Sequence, residues 1–141
     1  MQTIRLLGYS GLIPFTLLPL MYYLNAVPGR DDIRMLYTTY SALILGFMAG
    51  VLWPVLDKVQ SAHASIRLLA VAAVSIPVLS ITLLLLAKPY FVLLQAVLFA
   101  LLRFCEYQLG INAHYPHYYQ KLRNQLTMVV ILSHLGFYSI L

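Results

Sequence analysis

Residues 68–87 read LLAVAAVSIPVLSITLLLLA, twenty consecutive positions without an ionisable side chain, closed by Lys88 and Pro89. A bilayer core of about 30 Å takes roughly 20 apolar residues in a helix, so this stretch alone has the length of one crossing. Working outward, runs of similar kind recur on both sides. From Leu6 to Gly29 there is no charge, and the run stops at Pro28-Gly29 before the polar turn Arg30-Asp31-Asp32. Another runs from Met35 to Leu56, bounded by Asp57 and Lys58, and a polar loop through His63 leads on to the third. Lys88-Pro89 reverses the chain into a fourth, and a fifth reaches the last residue, Leu141. The expected fold class is all-α: a polytopic integral membrane protein, one domain over residues 1–141. It is a compact bundle of five transmembrane helices with spans at about 7–27, 35–56, 67–87, 90–110 and 122–141.

Composition points the same way. Hydrophobic residues make up 62% of the chain and charged residues 9%, against about 25% charged in a soluble domain, so a water-facing surface cannot be assembled. The net charge of +5 is spread singly between apolar runs. That pattern fits contact with lipid headgroups and excludes a clustered nucleic-acid stripe. A single cysteine, Cys105, rules out an intrachain disulfide. Only Arg5 precedes the first run, with no small-residue cleavage pattern and no arginine-rich presequence. The first run is therefore expected to be an uncleaved span of a bacterial inner-membrane protein. Tyr22, Tyr23, Trp53, Tyr90 and Tyr107 fall near span ends, as interfacial belts require. Arg5, Lys58, Arg67, Arg103, Lys121 and Arg123 fall on one side, and Arg30, Arg34 and Lys88 on the other. The positive-inside bias puts the amino terminus in the cytoplasm and the carboxyl terminus in the periplasm.

Polar residues inside such spans are costly, so each is a candidate for a role. On the fourth span Gln95 and Glu106 share a face, with Arg103 to one side and three residues from Glu106, close enough to pair. On the fifth, Thr127, His134 and Tyr138 line one face. An interhelical hydrogen bond is the favoured account of His134, ahead of proton transfer or ligation of haem or metal. Ala42, Gly46 and Gly50 at four-residue spacing, with Trp53 beyond, form a small-residue face for helix packing or a partner interface. Packing within the chain is the expectation there, ahead of a partner. Pro14, Pro19 and Pro77 kink the first and third spans, and neighbours or hydroxyls such as Ser75 and Ser80 are expected to satisfy freed carbonyls.

Between spans four and five, His114 and His117 resemble half a metal site with no Cys, Asp or Glu to complete it. Tyr115, Tyr118 and Tyr119 interleave instead with Lys121 and Arg123, the pattern of a segment in the cytoplasmic headgroup region. No P-loop, H-E-x-x-H or G-x-S-x-G motif is present. The expectation is a non-enzyme with no catalytic residues, no metal and no cofactor.

Three stretches carry a family resemblance: Gly8-Tyr9-Ser10-Gly11-Leu12-Ile13-Pro14-Phe15, the second-span run from Tyr40 to Trp53, and Tyr118-Tyr119-Gln120-Lys121-Leu122-Arg123 with Leu126-Thr127. Over nearly the whole chain the sequence resembles the five-span domain-of-unknown-function 3429 family, which includes the mitochondrial transmembrane protein sixty-nine. The family pattern has a second glycine where Ala49 stands and His or Arg where Leu52 stands. The resemblance implies residence in an energy-transducing membrane and supplies no reaction to transfer. The leading expectation is an accessory, assembly or scaffolding component that binds another membrane protein or itself. The alternative is a small proton-linked carrier or channel using Gln95, Arg103, Glu106 and His134, with haem or quinone binding a distant third.

Overall fold

The computed structural model describes residues 2–26, 28–58 and 64–141. The loop through His63 and the expected span end at Val27 lie outside them. All regular structure among the described residues is helical. The helices are α1 (Gln2–Ser10), α2 (Ile13–Tyr23), α3 (Arg30–Gly50), α4 (Trp53–Lys58), α5 (Ala64–Leu86), α6 (Phe91–Gln108) and α7 (His117–Ile140), with a 3-10 turn at Ile111–His114.

Two expected spans are interrupted, both for the same reason. Pro14 and Pro54 have no N–H to donate to the carbonyls of Ser10 and Gly50, so the helix breaks just upstream of each. Each proline then sits second in a new helix, where its missing donor costs nothing. The first span thus becomes α1 and α2, joined at Gly11-Leu12 and beginning at Gln2 rather than residue 7. The second becomes α3 and α4. Arg30, Asp31 and Asp32, read as a polar turn, form the first turn of α3, where the two carboxylates complement the helix dipole. The last helix starts earlier than expected, at His117, with Pro116 as its N-cap.

Three stretches are long and apolar enough to cross a membrane: Gln2–Tyr23, Arg67–Leu86 and Phe91–Gln108. Helices α3 and α7, of 21 and 24 residues, match them in length but carry too many polar groups to qualify on composition. Those groups divide: Arg30, Asp31, Asp32 and Thr39 of α3 and His117, Lys121, Gln125, Tyr138 and Ser139 of α7 are exposed, and the rest turn inward or are half-buried. Thr38, Ser41, Arg123, Thr127 and His134 are buried, while Met35, Leu43 and Phe47 of α3 and Met128, Leu132 and Leu135 of α7 are exposed.

The core centres on Phe15, Tyr37, Phe99, Phe137 and His134, each at most 1% exposed. Helix α7 packs against α6 and α2, and α3 against α2, α5 and α6. A turn closed by Tyr90 N–H donating to Ala87 O (2.9 Å) joins α5 to α6. The α6–α7 connection turns at Gly110, whose φ of +76° suits a residue without Cβ.

Prolines inside the helices leave carbonyls that must find other donors. Pro19 orphans Phe15 O, and Ser133 Oγ of α7 donates to it. Because that proton is committed, Tyr37 Oη is the donor in its 2.9 Å bond to Ser133 Oγ. Gly11 O, exposed at the α1–α2 break, accepts from Tyr40 Oη at 2.9 Å. Around Pro77 the pattern differs from expectation. Ser75 Oγ bonds Val71 O and Ser80 Oγ bonds Gln95, so neither caps Ala73 O.

Candidate functional site

The densest polar cluster lies where the α6–α7 hairpin meets the end of α3. Arg103 and Glu106 sit one turn apart on α6, and Arg123 faces them from α7. Glu106 is fully buried, and Arg103 and Arg123 are 6% and 4% exposed. Arg103 Nη1 donates to Glu106 Oε2 at 2.5 Å. From the other side Arg123 Nε donates to both carboxylate oxygens, at 2.9 and 2.8 Å, and Nη2 bonds Oε1 as well. The remaining donors reach outward. Arg103 Nε and Nη2 meet Asn124 Oδ1 at 2.8 and 2.6 Å, and Nη2 meets Asn112 Oδ1 at 2.6 Å. Its Cζ lies 4.4 Å from the Tyr107 ring centroid, a cation–π distance.

Arg123 Nη2 also donates to Met48 O at 2.9 Å. That acceptor exists because α3 ends: Leu52 N–H turns to Ala49 O instead, leaving the last carbonyls of α3 without helical donors. A guanidinium there also complements the negative end of the helix dipole. The Pro54 break therefore creates the acceptor that ties α3 to α7. Two guanidinium groups face one carboxylate, so the cluster retains a net positive charge in a buried place.

His134 occupies a different layer, eleven residues or about 16 Å along α7 from Arg123. Its Nδ1 lies 2.7 Å from Val130 O, which can only accept, so Nδ1 carries the proton. Nε2 is then the acceptor for the Ser41 hydroxyl at 2.6 Å. Phe15, Tyr37 and Phe99 surround the ring at centroid distances of 5.5, 5.1 and 5.5 Å. Gln95 Oε1 accepts from Ser80 at 2.9 Å, while its buried Nε2 has no partner among the described residues.

The structure thus brings Arg103 and Glu106 together and sets Gln95 and His134 apart from them along their helices. It corrects the reading of the α6–α7 segment. Arg123 and Tyr115, expected among headgroups, are 4% and 7% exposed. Tyr118, Tyr119 and Lys121 belong to the first turns of α7, the tyrosines half-buried and Lys121 exposed. Burial pushes the Tyr115 hydroxyl up to about 12. His114 Nδ1 bonds Gly110 O at 3.1 Å, and among the described residues no three His, Cys, Asp or Glu side chains cluster as metal ligands. Tyr138, placed beside Thr127 and His134 on one face, is 37% exposed while they are buried.

Sequence reading missed Arg123 as the second partner of Glu106, the carboxamides of Asn112 and Asn124, and the Ser41–His134 pair. The available signal was charge balance: an intramembrane Glu flanked by two cations requires at least one of them as a close partner.

The family described as "Protein of unknown function (DUF3429)" matches residues 1–138. The chain belongs to the DUF3429 family. No curated protein and no solved structure matches it. The two positions at which this DUF3429 chain departs from the resemblance, Ala49 near the end of α3 and Leu52 in the break before α4, are both fully buried. The glycine face of α3 is not. A Cβ placed on Gly46 or Gly50 would meet nothing within 4 Å, Ala42 is half-buried and Trp53 is 51% exposed. The expected packing of the two glycines inside the chain is therefore overturned, and α3 packs inward through Ser41, Leu45, Met48 and Ala49 instead.

Proposed function

We propose that this DUF3429 member is a five-span protein of the bacterial inner membrane that works as a non-enzymatic accessory, assembly or scaffolding component. It docks through α3 on a helix of another membrane protein or of a second copy. The observation that carries the reading is the open small-residue face. Gly46 and Gly50 have room beside them for another backbone, with the half-buried Ala42 one turn before, and small residues drive helix association where lipid removes the hydrophobic incentive.

Five spans are supported by length and by the inward orientation of most polar groups away from the helix ends. At 1.5 Å per residue α3 and α7 extend about 31 and 36 Å, enough for a core of about 30 Å. Met35, Leu43 and Phe47 of α3 and Met128, Leu132 and Leu135 of α7 face outward, with Thr39 and Gln125 the exposed polar residues away from the helix ends. The carrier reading gains less support, because both nitrogens of His134 and both oxygens of Glu106 already hold protein partners.

Co-purification in a mild detergent tests the docking role. Stoichiometric partner chains, or a crosslinked homodimer, are expected from the natural protein. Gly46→Leu combined with Gly50→Leu is expected to reduce recovery at least tenfold. A clean monomer across several detergents, or full recovery with the double variant, would remove the proposal.

A further inference from the structure

A second feature, independent of the glycine face, concerns the cationic cluster. Between α1–α2, α3 and α7 lies a groove of about 310 Å³, the lower end of the range of about 300–1,000 Å³ common for small-molecule sites. Its walls are apolar almost throughout, with Leu7 and Phe15 on one side, Ile44 on another, and Leu126 and Val130 on α7. Two side chains break that pattern, Arg123 and Tyr119. Measured along α7 from Tyr119 to Val130, the groove runs about 16 Å, with the two polar groups in the half nearer Tyr119.

The groove has a structural cause. Helix α1 leans on α7 at Gly8, where a Cβ would stand only 3.3 Å from Leu126 Cδ1. The break at Gly11-Leu12 then redirects the chain into α2.

The charge is equally specific. Arg123 spends Nε and Nη2 on Glu106 and Met48 O, while Nη1 makes no hydrogen bond among the described residues. The Tyr119 hydroxyl makes none either. Glu106 is shared with Arg103, so the cluster as a whole carries one positive charge in excess, and Arg123 is the member of it that lines the apolar channel. Such a charge in a low-dielectric place calls for an anion. A neutral hydrocarbon would fill the channel but leave the charge, and an inorganic anion would meet the charge but leave the channel.

We infer that the groove binds a single-chain anionic amphiphile of the long-chain fatty-acid class, with its carboxylate on Arg123 and Tyr119 and its tail directed toward Phe15 and Val130.

The test uses the full-length protein in proteoliposomes and a palmitate carrying a photoactivatable diazirine in its tail. Crosslinks are expected on Ile44 and on the Leu126–Val130 stretch. Unlabelled palmitate should displace the probe at a concentration at least tenfold below hexadecanol, which has the same chain and no charge. Replacing Arg123 would strip Glu106 of a partner and unsettle the bundle, so charge recognition is read from these competitors. Leu126→Trp, which fills the groove and spares the ionic cluster, is expected to cut labelling at least tenfold. Equal displacement by acid and alcohol, unchanged labelling of Leu126→Trp, or crosslinks confined to outward residues such as Leu132 and Leu135 would each overturn the inference. Displacement by phosphatidylglycerol as effective as by palmitate would replace the proposed occupant with a membrane phospholipid.

Discussion

Glu106 is the residue on which the polar interior depends. It is fully buried and takes hydrogen bonds from Arg103 and Arg123, which otherwise stand as two like charges in a region with little water. Breaking one partner of a buried ion pair costs about 3–5 kcal/mol, because the orphaned charge remains. Glu106→Gln leaves two. We expect a loss of at least that size in SDS-titration unfolding of the purified protein, against about 0.5 kcal/mol for Asp31→Asn on the exposed first turn of α3. Comparable midpoints for the two variants would show that the cluster contributes little. His134 illustrates a different economy: its two bonds, to Val130 O and Ser41, satisfy a neutral ring without requiring any charge.

At the scale of the helices, proline placement explains both the breaks and the cross-links between elements. Pro14 and Pro54 divide two expected spans, and each break exposes carbonyls that a neighbouring side chain takes, Tyr40 at Gly11 O and Arg123 at Met48 O. Pro19 does the same without breaking α2, because Ser133 supplies the donor that proline lacks. Ser133→Ala is therefore expected to cost about 1–3 kcal/mol, the desolvation penalty of a buried carbonyl left unpaired. In a Pro19→Ala background the restored N–H of residue 19 bonds Phe15 O directly, and the same serine substitution costs measurably less, what remains being the Tyr37 hydroxyl left without its acceptor. A double-mutant cycle by SDS titration measures this coupling; additive effects would show that Ser133 does not serve the proline. Residue spacing foretold that the prolines need such partners, and Arg103 with Glu106 was legible from their three-residue separation. Arg123 was not, because it meets Glu106 only after the α6–α7 hairpin has closed, and local tyrosine and lysine neighbours make it look interfacial.

For the whole molecule, the five-span reading fixes which loops share a side. With Cys105→Ala as background, Lys88→Cys is expected to react with a membrane-impermeant maleimide in intact cells. Lys58→Cys should react only after permeabilisation. The reverse pattern would invert the orientation, and labelling of both in intact cells would contradict an odd number of crossings between the loops. The same architecture places the cationic cluster toward the amino-terminal side, near the mouth of the groove beside α1. The bundle is thus largely apolar outside and polar in selected layers within, where most inward polar groups find partners, Gln95 Nε2, Tyr115 Oη and Thr127 Oγ1 being exceptions among the described residues.

Sequence by itself determined the all-helical class, the approximate position of the three stretches long and apolar enough to cross a membrane, and the pairing of Arg103 with Glu106. These follow from hydropathy and from spacing along one helix, which are properties of a local window. Only the tertiary structure decided that Arg123 joins that pair, that Ser41 holds His134, and that Gly46 and Gly50 face outward. Those facts depend on which faces of distant helices are brought into register, and no periodicity within a single helix records the identity of its neighbour.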